Sequence, residues 1–388
     1  MHSDISQKLR SWLVRRQNAS TGLIKSFDND HCVVSGQAFT YDQALASIVF
    51  TAFDNLDAAE GILAFFVKNT TDPFVGYANA YDHASGRVTE HTVHCGPNIW
   101  LGIAALQHYA KTDNPGSFLL CEQIACWIMD MQMADPDGGI KGGPASPWFS
   151  TEHHLDAYAF FQMIHQVTGQ EKYTHTLQLI LSWLKKHAFN TDAGGDHLPP
   201  VNRGWEDPMV ATDVYALSLM ALGPRKLKEA GLAPEAILAY AEKHCAVEID
   251  CQQASGRAVR VRGFDFTSPE RFGRAGMISP EWTCQMIIAY RVLGHHYAQM
   301  QKPSKGRAYH QKADQYLQEL SKLIITDSRS DSRRAGASLP YATSANAATG
   351  HGWRTPTGPD TGSIAGTAYM FLALRGVNPL IAEDLASE

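Results

Sequence analysis

Apolar residues recur at helical spacing along most of the chain, in segments of two alternating kinds. TYDQALASIVFTAF (40–53), CGPNIWLGIAALQHYAKT (95–112), STEHHLDAYAFFQMIHQVTG (150–169), TDVYALSLMALG (212–223), SPEWTCQMIIAYRVLGHHY (279–297) and DTGSIAGTAYMFLALRG (360–376) are apolar nearly all round, as a helix buried on most sides must be. Each of the first five is followed by an amphipathic segment: AAEGILAFFVK (58–68), GSFLLCEQIACWIMDMQ (116–132), KYTHTLQLILSWLKKH (172–187), PEAILAYAEKHC (234–245) and KADQYLQELSKLII (312–325). The sixth finds its partner by elimination in the opening helix SDISQKLRSWLVRRQ, where Ile5, Leu9, Trp12 and Leu13 form one stripe with Lys8, Arg10, Arg15 and Arg16 outside it.

Six inner–outer helix pairs at a repeat near 55 residues, with loops that widen toward the C-terminus, predict a closed helical array. The fold class expected is an all-α (α/α)6 toroid formed as a single domain over residues 1–388, the first helix closing the ring against the last. Residues 247–275 and 326–358 read as elaborated loops or short hairpins, and EIDCQQASGRAVRVRGFDF alternates as a hairpin should. The Ser/Asp/Arg run at 327–334 reads as a mobile loop.

Composition narrows the partners. A hydrophobic fraction of 44% and a charged fraction of 19% are those of ordinary globular proteins. A net charge of −6 with no basic block excludes a nucleic-acid surface, and no apolar run is long enough for a membrane span. The N-terminus lacks the apolar core of a signal peptide, so a cytoplasmic location is expected. The seven cysteines are scattered without a C-x-x-C pair, which fits reduced thiols better than a disulfide framework or a zinc site. EHTVHC (90–95) offers metal-ligand types but no second cluster completes a tetrahedral site. No phosphate-binding or dinucleotide turn is present, so neither metal nor cofactor is expected. Oligomeric state is not legible.

The candidate chemistry lies at the helix starts. Four inner segments open on a capping residue type and a carboxylate: Thr40/Asp42, Ser150/Glu152, Thr212/Asp213 and Ser279/Glu281. Caps and acids suit a helix N-terminus in their own right. Gathered on one face they make an acid-lined cleft fit for general acid/base chemistry. Tyr41, Trp100, Trp148, Trp205, Trp282 and Trp353 belong to helix starts or loops of that face, and aromatic faces stack on sugar rings. His154, Asp156, Asp265 and Asp360 are the polar candidates for binding hydroxyls. Asp156 shares a helix face with Glu152, whereas His153 points about 100° away and is expected to brace a neighbouring helix. For His154 three roles stay open: sugar ligand, carboxylate orienter and satisfied core histidine.

TYDQALA, STEHHLDAYAFF, ATDVYALSLMAL, GFDF, PEWTCQMIIAY and SLPYATSANAATGHGW resemble motifs of bacterial six-hairpin, (α/α)6 glycoside-hydrolase-like proteins, where similar runs read Y-D-x-A-L-A, S-T-E-H-N-x-D-A-Y and E-G-T-A-Q-M. The resemblance spans most of residues 20–378. It implies an active-site face carrying Asp42, Glu152, Asp213 and Glu281, and hydrolysis of a glycosidic bond in an oligo- or polysaccharide with inversion by paired carboxylates. Glu152 and Glu281 are the expected principal pair, with Asp42 and Asp213 as alternates. His154 stands where Asn is common and Trp282 where Gly is, departures that point to an altered substrate or to lost catalysis. The alternatives are a lyase, epimerase or phosphorylase on the same scaffold, and a non-catalytic sugar-binding or scaffold protein. A lyase would draw on Arg257, Arg260, Arg262, Arg271, Arg274 and Arg354 for a uronate charge.

Overall fold

The helices form where the apolar pattern puts them. A computed structural model describes residues 2–29, 32, 34–191, 198–253, 256–326 and 336–382; the expected loop at 327–334 lies outside these. The helices are α1 (His2–Val14), α2 (Thr40–Ala52), α3 (Leu56–Lys68), α4 (Cys95–Thr112), α5 (Pro115–Met133), α6 (Thr151–Thr168), α7 (Lys172–Trp183), α8 (Thr212–Leu217), α9 (Gly223–Glu229), α10 (Pro234–Cys245), α11 (Pro280–Gln299), α12 (Pro303–Ser321) and α13 (Ile364–Arg375). Proline opens α5, α10, α11 and α12, where its missing N–H costs nothing. Left-handed residues Asp113, Gly169 and Gly376 end α4, α6 and α13.

Several segments differ from the apolar reading, among them 172–187, where α7 gives way to π turns over Leu184–Ala188. Residues 212–223 are α-helical only to Leu217; wider π turns follow over Ser218–Leu222, and Gly223-Pro224 then begins the short α9. The helix expected from residue 312 starts at Pro303. Its first two turns are polar and hide from an apolar pattern, yet Gly306 is buried, with room for no Cβ beside the Gly294 carbonyl of α11 (2.8 Å). Finally, α13 begins at Ile364 because Gly362–Ser363 pair as a strand with Ala337–Pro340. The hairpin read from alternation is present as Ala246–Gln252 against Ala258–Phe264.

The chain divides into two compact units. One comprises Leu13–Ser26, Gly36–Ala188 and Pro379–Glu388, and in it α2 packs on α3, α4 on α5 and α6 on α7, with α4 between α2 and α6. The other comprises Met1–Trp12, Phe27–Ser35 and Phe189–Asn378; here α8 packs on α10, α11 on α12, and α11 lies against α8 and α13. We refer to them as the 36–188 and 189–378 units.

Within each unit a short connecting segment ties the N-termini of two neighbouring inner helices. In the 36–188 unit the Thr40 amide donates to Asn79 O (2.9 Å) and its hydroxyl to Ala78 O (2.6 Å), while the Tyr77 amide donates to Asn98 Oδ1 (2.8 Å). Residues 77–79 thereby hold the starts of α2 and α4 together. Strand Lys141–Gly143 does the same for α4 and α6. His94 bonds the Gly142 backbone, the Ile140 amide donates to His154 Nε2 (2.9 Å), and only glycine at 143 fits, since a Cβ there would lie 2.0 Å from Val93 O.

In the 189–378 unit the connector is Phe264–Phe266. The Thr212 hydroxyl donates to Asp265 O (2.6 Å) and its amide to Phe266 O (3.2 Å); the Ser279 amide donates to Phe264 O (2.9 Å), and Thr283 Oγ1 accepts from the Phe264 amide (2.9 Å). The starts of α8 and α11 are thus fixed side by side.

Candidate functional site

These ties place all four first-turn carboxyls. Asp42, Glu152, Asp213 and Glu281 each fall in the first turn of α2, α6, α8 and α11. Of the four capping residue types only Ser279 caps with its side chain, accepting from the Trp282 amide (3.3 Å). Thr40 and Thr212 spend their hydroxyls on the connectors instead, and Ser150 makes no side-chain cap. Glu152 and Glu281 belong to different units, as do Asp42 and Asp213, so each unit holds one aspartate and one glutamate.

In the 36–188 unit burial raises the Asp42 carboxyl to about 7, against a hydrogen bond from Ser26 that lowers it. Tyr41 is half-buried and meets the Trp100 ring edge-on at 5.6 Å. The Trp100 indole N–H donates to Asp156 Oδ2 (2.9 Å), and both residues are buried. Glu152 is half-buried. His154 is placed as a core histidine. Its Nδ1–H donates to Ser150 O (2.6 Å), its Nε2 accepts from Ile140, and its ring stacks on Trp183 at 3.6 Å. Burial holds it neutral, with a pKa lowered to about 3.

His153 does brace a neighbour, packing over Gly96 at the start of α4, and burial likewise lowers it to about 3. Trp148 is 45% exposed; its indole lies on the Gly142 backbone and beside His153 (5.3 Å) and His94 (6.1 Å).

In the 189–378 unit burial raises Asp213 to about 7, against the Val214 amide and the Arg203 charge, which lower it. Glu281 is buried in the first turn of α11. Asp265 is wholly buried and its carboxylate is taken up within the protein. Arg274 grips it with two nitrogens (2.6 and 2.7 Å), and the Met277 amide adds a third bond (2.8 Å). It organises the 265–277 loop and presents no open oxygen for a sugar hydroxyl, in contrast to the sequence expectation. Trp282 is buried in a cluster with Phe266, Met277 and Ala342 and meets the Phe266 ring at 4.9 Å. Asp360 is exposed, accepts from Thr361 Oγ1 (3.2 Å), and lies four residues before α13.

Two residues of this unit escaped the sequence reading. His351 Nε2–H donates to Phe266 O (2.9 Å), so its Nδ1 is the acceptor for an Arg203 guanidinium N–H (3.0 Å). Burial lowers His351 to about 4 and keeps it neutral. The signal was present as a repeated tripeptide, Arg203-Gly-Trp205 and His351-Gly-Trp353, whose first residues bond each other. Among the described residues no group of three or more His, Cys, Asp or Glu is placed to hold a metal ion, and no helix is long and apolar enough to cross a membrane.

The fold class defined by these helix pairs is the all-α (α/α)6 toroid. No family model matches the chain, and no curated protein matches it in sequence. Solved structures do match in shape. A cellobiose 2-epimerase from Bacillus thermoamylovorans superposes with a TM-score of 0.65 at 11% identity, over 97% of this chain and 100% of that one. A GH76 α-mannanase from Bacteroides thetaiotaomicron gives 0.58 at 12% identity, over 97% and 96%. A D-mannose isomerase gives 0.61 at 12% identity, over 97% and 96%. Identities this low carry the fold and no more.

Proposed function

We propose that the chain is a carbohydrate-active enzyme that hydrolyses a glycosidic bond in an oligo- or polysaccharide by carboxyl acid/base catalysis. The catalytic candidates are Asp42, Glu152, Asp213 and Glu281. Asp213 and Glu281 are taken as the working pair because one segment, Phe264–Phe266, fixes both of their helix starts. That tie is the observation that carries the reading. Asp213 serves as proton donor, since burial keeps its carboxyl protonated up to about pH 7. Glu281 serves as the base that draws a proton from the attacking water. The similar structures include an α-mannanase, a cellobiose 2-epimerase and a D-mannose isomerase, all named for sugars, which supports the substrate class.

Three buried histidines, His153, His154 and His351, are poorly suited to isomerisation. Moving a proton between sugar carbons calls for a base with an open nitrogen and a pKa near the working pH. His154 and His351 have both ring nitrogens engaged, and burial lowers His153 to about 3. Several of the arginines a lyase would need are already committed. Arg260 is paired with Glu248, Arg262 with Glu242 (3.4 Å) and Arg274 with Asp265 (2.6 Å).

The test is turnover of a glycan panel with product analysis. Asp213→Asn and Glu281→Gln, checked for folding by circular dichroism, are expected to lose about 10²–10⁴-fold in kcat. Wild-type kcat/KM is expected to fall as pH rises above about 7. A larger loss in Glu152→Gln or Asp42→Asn would move the pair to those residues. Full turnover in all four variants would sink the mechanism, and isomerised rather than cleaved product would replace it.

A further inference from the structure

The two Gly-Trp turns of the 189–378 unit are joined to each other and present their indoles outward. Trp205 is 48% exposed at the tip of a tight turn closed by Arg203 N–H to Asp207 O (2.9 Å) and by the Arg203–Asp207 ion pair. Trp353 is 43% exposed in the second turn. The Arg203–His351 bond ties the turns together, and the His351 ring lies 5.5 Å from Trp353. A third exposed ring, Phe272, packs on Gly350 beside His351; a Cβ at Gly350 would lie 2.9 Å from it.

The Trp353 ring is held from behind. The Trp353 indole N–H donates to Tyr341 OH (3.0 Å), Tyr341 stacks on Phe266 (5.7 Å), and Phe266 packs on buried Trp282. Arg354, next to Trp353, is pinned by Asn346 Oδ1 (2.6 Å). An exposed aromatic anchored as Trp353 is loses little side-chain freedom when a ligand covers it.

Charge selects the ligand. The three segments 203–207, 265–274 and 346–360 carry four arginines against five carboxylates. Arg203 is neutralised by Asp207 and Arg274 by Asp265, while His351 is neutral. Arg271 and Arg354 are offset by Glu206, Glu270 and Asp360. No cationic excess is left to draw a uronate or sulfate chain.

We infer that the joined Gly-Trp turns are a binding platform for a neutral glycan chain of more than one sugar, its rings stacked on Trp205 and Trp353. This rests on the sugar-active reading above and adds to it the charge and length of the substrate. The platform adjoins the carboxyls, since His351 bonds the Phe266 carbonyl and the Arg203 charge acts on Asp213, but stacking and proton transfer are read by different assays, so the two can fail separately.

Gel retardation of the full chain in α-mannan, laminarin or hydroxyethyl cellulose, with polygalacturonate as the acidic control, tests it. The wild type is expected to be retarded by at least one neutral polymer, equally at low and high salt. Trp353→Ala and Trp205→Ala are expected to weaken that retardation about tenfold each, with Trp353→Phe largely retaining it. Retardation by polygalacturonate alone, by no neutral polymer, or unchanged in both alanine variants would overturn the platform. Asp213→Asn must still be retarded if the platform is right. Retardation without turnover in the wild type ends the hydrolase proposal and leaves the platform standing; turnover without retardation does the reverse.

Discussion

In the 36–188 unit Asp156 is buried against the indole N–H of Trp100, and His154 against a backbone amide and a backbone carbonyl. In the 189–378 unit one wholly buried carboxylate, Asp265, is gripped by a guanidinium. Both arrangements fix a helix start or the loop beside it, yet one spends neutral donors and the other an ion pair. The difference matters because a buried ion pair is costly to break from one side. The surviving charge stays in a low-dielectric site without compensation.

Asp265→Ala is therefore expected to produce the largest effect, a loss of about 3–5 kcal/mol in unfolding free energy. It strands Arg274 and frees the loop that follows the tie on α8 and α11. Replacing both partners by apolar residues, Asp265→Leu with Arg274→Met, is expected to recover most of that loss in chemical denaturation. Trp100→Phe, which removes one neutral donor from Asp156, should cost less, about 1–3 kcal/mol. Equal losses in the two single variants would erase the contrast.

The titrating groups sharpen it next, with opposite signs over overlapping windows below neutrality. Asp42 and Asp213, one in each unit, have folded pKa values raised from 3.8 to about 7. The unfolded chain ionises first, so folding loses stability as pH rises from about 4 to 7, and the cost is complete above that. Asp213→Asn should then stabilise the protein at pH 8 by up to about 4 kcal/mol and leave it nearly unchanged at pH 4. A carboxyl kept at such a cost is what the proposed acid role would require, a trade of stability for activity.

The histidines run the other way. His153 and His154 in one unit and His351 in the other are held neutral, at about 3, 3 and 4. Below pH 6.5 the unfolded chain takes up protons that these sites refuse, so stability falls as pH drops toward 3. With two of the three in the 36–188 unit, proteolysis at pH 4.5–5 followed by fragment mapping is expected to open that unit first. First cuts within 198–253 would reverse the ranking.

Much of the scaffold was legible, because a helix buried on most sides writes its burial into sequence. Segments 95–112 and 234–245 coincide with α4 and α10. The start of α12 was not legible, since Pro303–His310 is polar and its packing depends on one glycine. The carboxyls of Asp42, Glu152, Asp213 and Glu281 could be named because helix starts have a residue signature. Which polar groups are already satisfied could not, because their partners are remote. His154 meets Ile140 through its backbone amide, Asp265 meets Arg274 across a loop, and Arg203 meets His351 across 148 positions. Only the repeated x-Gly-Trp hinted at the last of these.

The smallest expected effect isolates burial as the cause. Arg203–Asp207 has the same chemistry as Arg274–Asp265 and lies in the same unit, but both of its side chains are 30% exposed. Water already solvates much of the charge, so Asp207→Ala is expected to cost no more than about 1 kcal/mol. That cost should shrink as salt is raised, whereas the cost of Asp265→Ala should not, since a buried pair is little screened. Thermal unfolding of both variants at low and high salt makes the comparison. If Asp207→Ala destabilises as strongly as Asp265→Ala, and as independently of salt, the contrast belongs to arginine–aspartate pairing itself, and the buried grip on Asp265 has no special standing.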